Sequence, residues 1–357
     1  MIKKTLLGMT MTAAALSTSL AAQACTRVVY HGEDGLNITG RTMDWKDPMH
    51  SRLWIFPAGL KENGAAGKNS AEWTSRYGSV VVTSLNAAVS DGMNQKGLDA
   101  NLLWLNSSKY PDQCAANDKR LVISAWAQYF LDNFATVKEA VASLKTHPVC
   151  LISAPIPGTD KFTTLHLSLS DADGNSAILE YIDGKLVVHE GRQYQVMTND
   201  PELPHQLAIA EYWREIGGTT FLPGTNQPPD RFARADFYIH AVPKTANNQQ
   251  GVAQVFSVLN NVSVPMGIST PGHPNISTTR WRVVADQKDL KYYFNSTSSL
   301  DLFRVDLKKA DLAPGAPVML LPMGQGQVYA GDVIKDFRPA KQFQFVPVPP
   351  EVLANLK

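Results

Sequence analysis

Runs of alternating apolar and polar residues occupy the middle of the chain and predict antiparallel strands. In the segment 164–170 leucines alternate with polar residues, which is the two-residue period of a half-buried strand. Asp-Gly turns at 173–174 and 183–184 follow, so the sequence predicts a three-stranded meander over 164–190. The same signals predict further strands at 27–31, 36–40, 80–85, 98–105, 194–198, 280–285 and 290–296.

Helical spacing of apolar residues marks most of the remaining elements. The segment 121–132 is apolar at this spacing, and Thr136 with Glu139 forms a capping box that begins a second helix. Asp91 and Gly92 are predicted to form a turn between two strands. Further helices are expected at 205–216, 231–241 and 250–262, and the Pro- and Gly-rich segment 314–350 is expected to wrap around the outside.

Antiparallel runs of strands with grouped helices predict the α+β class rather than a parallel, doubly wound sheet. No internal repeat or linker interrupts the pattern, and the residues that follow the first 24 are enough for one well-packed core. The sequence therefore predicts one domain, covering residues 25–357.

The first 24 residues have the pattern of an export signal. Two lysines precede an uncharged stretch of apolar and small residues at 6–22, and Ala22 and Ala24 supply the small side chains that signal peptidase requires. The stretch is too short to span a bilayer comfortably, so no membrane span is expected. We predict a signal peptide over 1–24 and a periplasmic or secreted protein.

Charge and composition narrow the range of partners. The chain has 33 basic and 32 acidic side chains without a basic run, so nucleic acid is not an expected partner. Its eight histidines are scattered without a metal-ligand spacing, and neither a metal nor another cofactor is expected. The sequence leaves open whether Cys114 and Cys150 form a disulfide, but the odd count of three cysteines leaves one thiol unpaired.

Cys25 becomes the first residue once the signal peptide is removed. Its thiol is then a nucleophile and its free α-amino group a base, because the two groups titrate within about one pH unit of each other. Arg41 and Asp44 follow the second strand of a predicted hairpin, which returns them to Cys25. There Asp44 can orient the amine, and Arg41 can lower the pKa of the thiol.

Other interpretations of these residues remain open at this point. A lipid-modified cysteine needs an aliphatic residue, usually Leu, three positions earlier, where this chain has Ala22. Cys25 is also compatible with a structural cysteine that merely follows the cleavage point. Arg41 and Asp44 are compatible with an ordinary surface ion pair, which contributes little to stability.

Four segments in chain order carry a recognisable pattern: CTR at 25–27 with GRTMD at 40–44, DGMNQKGL at 91–98, TNDP at 198–201, and LPG at 222–224 with RFAR at 231–234. Together they resemble the choloylglycine hydrolase family of N-terminal-nucleophile hydrolases, which includes bile salt hydrolases and penicillin V acylases. The resemblance extends over about 200 residues and implies an αββα sandwich, in which two antiparallel sheets lie between helix layers.

The resemblance implies a role for each matching residue. Cys25 would be the nucleophile and, through its amine, the general base, with Asp44 holding the amine and Arg41 flanking the thiol. Asn199 would donate its side-chain amide to the oxyanion of the tetrahedral intermediate. Arg231 would help to fix the charge network around the site.

Trp104 departs from the family pattern. The family's second oxyanion donor is an Asn or a Tyr at this position, and an indole can replace it only through the backbone N–H of Trp104. Asn106 is close in sequence but lies on a different register. Trp45 and Trp104 flank catalytic positions, and we expect them to form walls of an apolar pocket for the acyl group.

The implied reaction is hydrolysis of a linear amide between an apolar acyl group and a small polar amine, through a thioester on Cys25. The signal peptide and Trp104 favour the penicillin V acylases of Gram-negative bacteria, which also hydrolyse N-acyl homoserine lactones, over conjugated bile salt hydrolases. A homotetramer is expected by family analogy. A hypothesis of another class is a secreted lipoprotein or binding module that keeps the fold without catalysis.

We expect the exported protein to begin at Cys25 with a free amine and an alkylatable thiol. Intact-mass measurement before and after treatment with iodoacetamide checks both groups. A diacylglyceryl adduct, or a different first residue, would contradict the prediction.

Overall fold

Two β-sheets and their flanking helices form the part of the chain that the computed structural model describes. None of the helices in that part is long and apolar enough to cross a membrane. The described residues are 25–115, 117–267, 277–299, 301–324 and 326–355. The α-helices are α1 (Trp126–Asn133), α2 (Val137–Thr146), α3 (Leu203–Ile216), α4 (Pro228–Ala241), α5 (Asn248–Asn261) and α6 (Pro350–Asn355).

The strands belong to two large sheets and two small two-stranded ones. They are β1 (Cys25–His31), β2 (Asn37–Asp44), β3 (Arg52–Phe56), β4 (Lys61–Asn63), β5 (Glu72–Thr74), β6 (Ser79–Ser84), β7 (Ala88–Asn94), β8 (Asp99–Trp104), β9 (Lys119–Val122), β10 (Val149–Ile152), β11 (Leu165–Ser170), β12 (Ser176–Ile182), β13 (Lys185–Glu190), β14 (Val196–Met197), β15 (Thr279–Asp286), β16 (Lys291–Ser296), β17 (Leu302–Asp306), β18 (Met319–Leu320), β19 (Ala330–Asp332) and β20 (Arg338–Pro339). Three short 3-10 turns lie at Ile123–Ala125, Leu307–Lys309 and Ile334–Asp336.

The two large sheets stack between two layers of helices. The first sheet has the order β14-β1-β2-β15-β16-β17-β19, and the second has the order β13-β12-β11-β8-β7-β6-β3-β18-β20. Within these two large sheets neighbouring strands are antiparallel, except for the pair of β17 with β19, and β9 pairs with β10 in parallel in one of the small sheets. Helices α4 and α5 pack on the first sheet, whereas α1 and α2 pack on the second. This arrangement confirms the predicted α+β class and the αββα sandwich.

The hairpin of β1 and β2 lies in the interior of the first sheet. Its pairing sets Cys25 opposite Met43 and Arg27 opposite Arg41. Every residue of β2 is buried, because a neighbouring strand flanks each of its edges and helix α5 covers one face. A Cβ atom at Gly40 would lie 2.4 Å from a methyl carbon of Val255 on α5, so glycine at this position permits the close approach of the helix.

Buried polar side chains join the facing surfaces of the two sheets. Arg27 on β1 donates to the Ser176 hydroxyl on β12 over 3.0 Å, and Thr39 on β2 lies 2.7 Å from the Ser170 hydroxyl on β11. Each buried polar group that found no partner would destabilise the fold by roughly 1–3 kcal/mol. These contacts therefore favour one relative position of the sheets.

Several local predictions from the sequence are confirmed. The meander is formed by β11, β12 and β13, and the predicted hairpin near the end of the chain by β15 and β16. Thr136 caps α2 by accepting a hydrogen bond from the backbone N–H of Glu139 over 3.2 Å. The carboxylate of Glu139 accepts in return from the N–H of Ala135, one residue before the expected partner.

Other local predictions are wrong. Asp91 and Gly92 do not form a turn but lie inside β7, because the chain reverses earlier, at residues 85–86. The predicted helix over 121–132 begins only with α1, because its first two residues end β9, which pairs with β10, and the next three form a 3-10 turn. The segment 314–350 does not stay outside, since Phe343 and Phe345 are each only 8% exposed.

The structure also decides the pairing of the cysteines. Cys114 and Cys150 form a disulfide that links the loop after β8 to β10, and Cys25 is the free cysteine. The two bonded residues are 36 positions apart in the sequence. The bond therefore closes a loop of moderate length, which restricts the unfolded chain.

Replacing both Cys114 and Cys150 with Ala should lower the free energy of unfolding by about 4 kcal/mol, the loop-closure value for this separation. Urea unfolding of the variant and the wild type measures the difference. Dithiothreitol should destabilise the wild type and leave the variant unchanged. An unchanged unfolding midpoint in the variant would show that the bond does not stabilise the fold.

Candidate active site

Cys25 is the first residue of β1 and lies in a sheltered position, with 3% of its surface exposed. Its Sγ lies 3.9 Å from the backbone carbonyl oxygen of Asp44 and 3.8 Å from Nη2 of Arg41. In the full-length chain its nitrogen is a peptide N–H, which donates to Oδ1 of Asn199 over 2.8 Å. The fold thus brings three of the residues singled out in the sequence around one thiol.

Arg41 projects from β2 into the space between the sheets. Its Nη2 donates to the carbonyl oxygen of Leu102 over 2.8 Å, and its Nη1 lies 3.4 Å from Oδ2 of Asp91. The guanidinium also stacks 4.7 Å from the centre of the Trp281 ring. The guanidinium of Arg41 and the carboxylate of Asp91 are both fully buried, so each requires the other as a counter-charge. The interpretation of Arg41 and Asp44 as a surface ion pair is therefore wrong, because both residues are buried and Arg41 pairs with Asp91.

Asp91 contacts the candidate site through Arg41 and was not among the site residues that the sequence indicated. Its Oδ1 accepts from the Tyr292 hydroxyl over 2.5 Å, and its Oδ2 accepts from Asn101 over 2.9 Å. Asp91 belongs to a segment that resembles the family, but the Asp-Gly pair at 91–92 predicts a turn and hides its role as a buried counter-charge. A buried Arg41 needs a carboxylate partner, and that requirement is the signal that would have pointed to Asp91.

Burial and charge oppose each other at the nucleophile. Burial raises the pKa of the Cys25 thiol, whereas the adjacent Arg41 guanidinium lowers it. Burial likewise raises the pKa of Asp91, and Arg41 again opposes the effect. One guanidinium therefore favours the ionised form of both groups.

Asp44 lies at the end of β2 in a network of hydroxyl groups. Its Oδ1 accepts from the Thr279 hydroxyl over 2.6 Å, and its Oδ2 accepts from the Thr42 hydroxyl over 3.0 Å. Burial raises the pKa of Asp44 to about 6, and the positive charge of Arg231 is the largest opposing influence. The sequence predicted a contact between Asp44 and the nitrogen of Cys25. In the full-length chain that nitrogen donates to Asn199 instead.

Arg231, from the first turns of α4, connects the nucleophile to Asn199. Its Nη1 donates to the carbonyl oxygen of Cys25 over 2.5 Å and to the hydroxyl of Thr26 over 2.7 Å. Its Nη2 donates to Oδ1 of Asn199 over 2.6 Å. Burial lowers the pKa of Arg231 to about 10, and the negative charge of Asp44 opposes this effect. Arg231 is therefore part of the site and not an ordinary helix-surface arginine.

The amide group of Asn199 points toward Trp104. Its Nδ2 donates one hydrogen to the carbonyl oxygen of Trp104 over 2.7 Å, while its Oδ1 faces Cys25 and Arg231. The indole N–H of Trp104 donates to Asn106 over 2.8 Å, so the indole itself is not directed at an oxyanion. The roles of the second Asn199 hydrogen and of the Trp104 backbone N–H stay predictions.

A buried His–Glu pair holds the loop that contains Asn199. Nε2 of His166 lies 3.0 Å from the carbonyl oxygen of Thr198, and its Nδ1 lies 3.1 Å from Glu180. Glu180 also accepts from the N–H of Leu203 over 3.2 Å, at the start of α3. Although burial acts in the opposite direction, hydrogen bonds from two histidines lower the pKa of Glu180 to about 2. Strand alternation placed His166 on a polar face but did not show that this face is buried.

An apolar cavity of about 110 Å³ opens beside Cys25. A cavity of roughly 150 Å³ holds a benzene molecule, so this one is somewhat smaller but of the order of a single aromatic ring. The rings of Trp45 and Trp104 lie 5.4 Å apart between their centres, and both residues line the cavity. Their role in holding an acyl group stays a prediction. Other residues that line it are Met49, Leu85, Ile156 and Leu165.

The arrangement suits acyl transfer. A thiol beside a guanidinium can attack a carbonyl group whose apolar acyl part occupies the cavity, while amide and backbone donors surround the site. Among the residues that the structure describes, no cluster of three or more metal-ligating side chains occurs.

Comparison with protein families agrees with this geometry. The model of the linear amide C–N hydrolases, choloylglycine hydrolase family, matches residues 25–320. The chain belongs to this family. It is therefore an enzyme that hydrolyses linear amide bonds, and the resemblance seen in the sequence motifs is confirmed.

Individual relatives of this amide hydrolase match between 81% and 96% of its length. Penicillin V acylase from Pectobacterium atrosepticum is 45% identical, over 96% of this chain and 97% of the relative. The structure of penicillin V acylase from Agrobacterium tumefaciens matches with a TM-score of 0.84 and 49% identity, over 91% of this chain and all of that one. Bile salt hydrolase/transferase from Clostridium perfringens is 25% identical, over 81% of this chain and 94% of the relative.

Replacing Arg41 with Met should lower the free energy of unfolding by about 3 kcal/mol or more, because it leaves Asp91 buried without a counter-charge. Burial already raises the pKa of Asp91, and losing Arg41 raises it further. The ionised carboxylate of Asp91 is the destabilising form. The loss of stability relative to the wild type should therefore be larger at about pH 8 than at about pH 5. Urea unfolding at both pH values measures it.

The matched control is the double variant Arg41→Met with Asp91→Asn. Asn preserves the shape of the side chain without its charge, so the double variant should recover part of the lost stability and most of the pH dependence. Equal stability of the single and double variants at both pH values would show that the ion pair is not coupled in this way.

Proposed function

We propose that this amide hydrolase is exported, is cleaved before Cys25, and releases the acyl group of penicillin V. The observation that supports the proposal most directly is the free thiol of Cys25, which lies beside Arg41 at a ring-sized apolar cavity. Two relatives that are nearly half identical over almost the whole chain are penicillin V acylases.

The reaction begins when the α-amine of the processed Cys25 takes the proton of its own thiol. The thiolate, stabilised by Arg41, attacks the amide carbonyl carbon, and the C=O electron pair moves onto the oxygen. Asn199 and the backbone N–H of Trp104 donate to this oxyanion. The C–N bond then breaks, the leaving amine takes the proton from the ammonium group, and a thioester remains on Cys25.

Water completes the cycle. The α-amine, free again, takes a proton from a water molecule that attacks the thioester carbonyl, and the C–S bond breaks. The carboxylic acid leaves and the thiol regains its proton, so one water molecule is consumed for each amide and no oxidant or reductant is needed. Asp44 orients the α-amine in both halves of the reaction. It can do so after processing, because cutting the preceding peptide bond turns the single N–H of Cys25 into an amine with additional hydrogens to donate.

The size of the cavity distinguishes between substrates. A phenoxyacetyl group contains one ring, which can pack against the two indoles, whereas the acyl part of a bile salt is a fused four-ring steroid. We therefore favour penicillin V over conjugated bile salts. N-Acyl homoserine lactones are the second candidate, because Leu85, Ile156 and Leu165 offer aliphatic contacts to an alkyl chain. That activity would make the protein a quorum-quenching enzyme.

Location and assembly belong to the same proposal. A cleaved leader would place the enzyme in the periplasm or outside the cell, where a disulfide between Cys114 and Cys150 is chemically stable. The homotetramer expected by family analogy stays a prediction. A lipoprotein or an inert binding module is the alternative, and it requires a Cys25 that is lipid-modified or unreactive.

Cys25→Ser should abolish nearly all turnover of penicillin V, because a serine hydroxyl is much harder to deprotonate than a thiol. Asn199→Ala should lower kcat by about 10²–10³-fold, as expected for the loss of an oxyanion donor. Steady-state kinetics with penicillin V, penicillin G, glycocholate and N-acyl homoserine lactones measures both effects and ranks the substrates.

Asn175→Ala is a matched control, since Asn175 hydrogen-bonds to Asp171 away from the cavity. It should leave kcat within about twofold. Wild-type rates in Cys25→Ser would overturn the mechanism, and a clear preference for glycocholate would overturn the substrate assignment.

A further inference from the structure

The last part of the chain returns to the catalytic cavity. The family model ends at residue 320, so the segment 340–348 lies outside the region that identifies the family. This C-terminal segment crosses one face of the second sheet and places Phe343 among the aromatic side chains there. The rings of Phe343 and Trp54 are 5.6 Å apart, and those of Phe343 and Phe345 are 5.5 Å apart, between centres.

Backbone hydrogen bonds fix the position of Val346 in this segment. Its N–H donates to the carbonyl oxygen of Ala87 over 3.1 Å, and its carbonyl oxygen accepts from the Ser124 hydroxyl over 2.9 Å. The N–H of Val348 donates to the carbonyl oxygen of Ala65 over 2.9 Å. The segment is therefore held on both sides of Val346 by aromatic packing and by hydrogen bonds.

Val346 lines the same cavity as Cys25, together with its two anchors Ala87 and Ser124. Leu85 and Ile123, which lie within two residues of these anchors, also line the cavity, and Val346 adds a third branched aliphatic side chain to this part of the wall. The neighbouring Phe345 points instead into the second hydrophobic core and does not line the cavity. The alternation of side chains along the segment thus exposes one valine to the substrate.

We propose that Val346 is a specificity-determining residue that limits the size of the acyl group. The inference rests on the proposed function, since it assigns the cavity to the acyl part of the substrate. With Val346 in place, the cavity accepts a group of about one aromatic ring, such as phenoxyacetyl. A long alkyl chain needs additional space, which a smaller residue at this position would provide.

The test compares three variants with the wild type. Val346→Ala should raise kcat/KM for dodecanoyl homoserine lactone relative to penicillin V by about tenfold or more, the usual effect of one or two methyl groups in an apolar pocket. Val346→Leu should lower kcat/KM for penicillin V by a similar factor. Val348→Ala removes the same atoms from the same segment, but Val348 does not line the cavity, so it should leave the ratio within about twofold.

The outcomes separate the two proposals. An equal change of the ratio in Val346→Ala and Val348→Ala, or no change in a folded Val346→Ala variant, would overturn the role of Val346. If the wild type hydrolyses none of the amides, the proposed function fails, and calorimetric binding of phenoxyacetate and dodecanoate then tests Val346 without turnover. Stronger binding of dodecanoate to Val346→Ala than to the wild type supports the inference, and unchanged binding refutes it.

Discussion

The register between β1 and β2 is the constraint on which the site depends. Cys25 lies opposite Met43, so its side chain shares the face of the sheet from which Arg41 projects. Asp44 and Thr42 lie on the other face, toward the helix layer that supplies Arg231. A shift of one residue would exchange the two faces and separate the thiol from the guanidinium.

Buried charge is the second consequence of this register. The face with Arg41 meets the second sheet, where the guanidinium finds Asp91 and the carbonyl oxygen of Leu102. Groups held this far from water interact more strongly than they would at the surface, and they need no rearrangement when charge develops on a substrate. The same burial makes the thiol of Cys25 harder to ionise, which is why a neighbouring cation and a base close at hand matter to its chemistry.

The walls of the cavity come from parts of the chain that are remote in sequence. Trp45 follows β2, Trp104 ends β8, Ile156 lies in the loop after β10, and Val346 belongs to the C-terminal segment. Each of these parts has its own anchoring contacts away from the cavity. Cys25 and Arg41 line the same cavity, whereas Ile156 and Val346 lie on elements that contribute no catalytic residue. The pocket can therefore change its dimensions at these two positions while the nucleophile keeps its surroundings.

Local patterns in the sequence were sufficient for much of the fold. Strand alternation predicted the meander and both hairpins, because a two-residue period is a property of each strand by itself. Asp91 shows the limit of such reasoning. An Asp-Gly pair is typical of a turn, but here Asp91 lies within strand β7, where its carboxylate pairs with the buried Arg41. The segment before α1 failed for a similar reason, since apolar residues there pair with β10 instead of continuing the helix.

The sequence by itself determined that Cys25 follows a leader-like segment and that a hairpin returns Arg41 to it, because both facts depend on neighbours along the chain. Only the tertiary structure decided that Cys114 pairs with Cys150, that Asp91 neutralises Arg41, and that Val346 reaches the cavity. Each of these contacts joins residues separated by 36 or more positions. Such pairs are selected by the packing of whole layers, and no short-range pattern of apolar and polar residues specifies them.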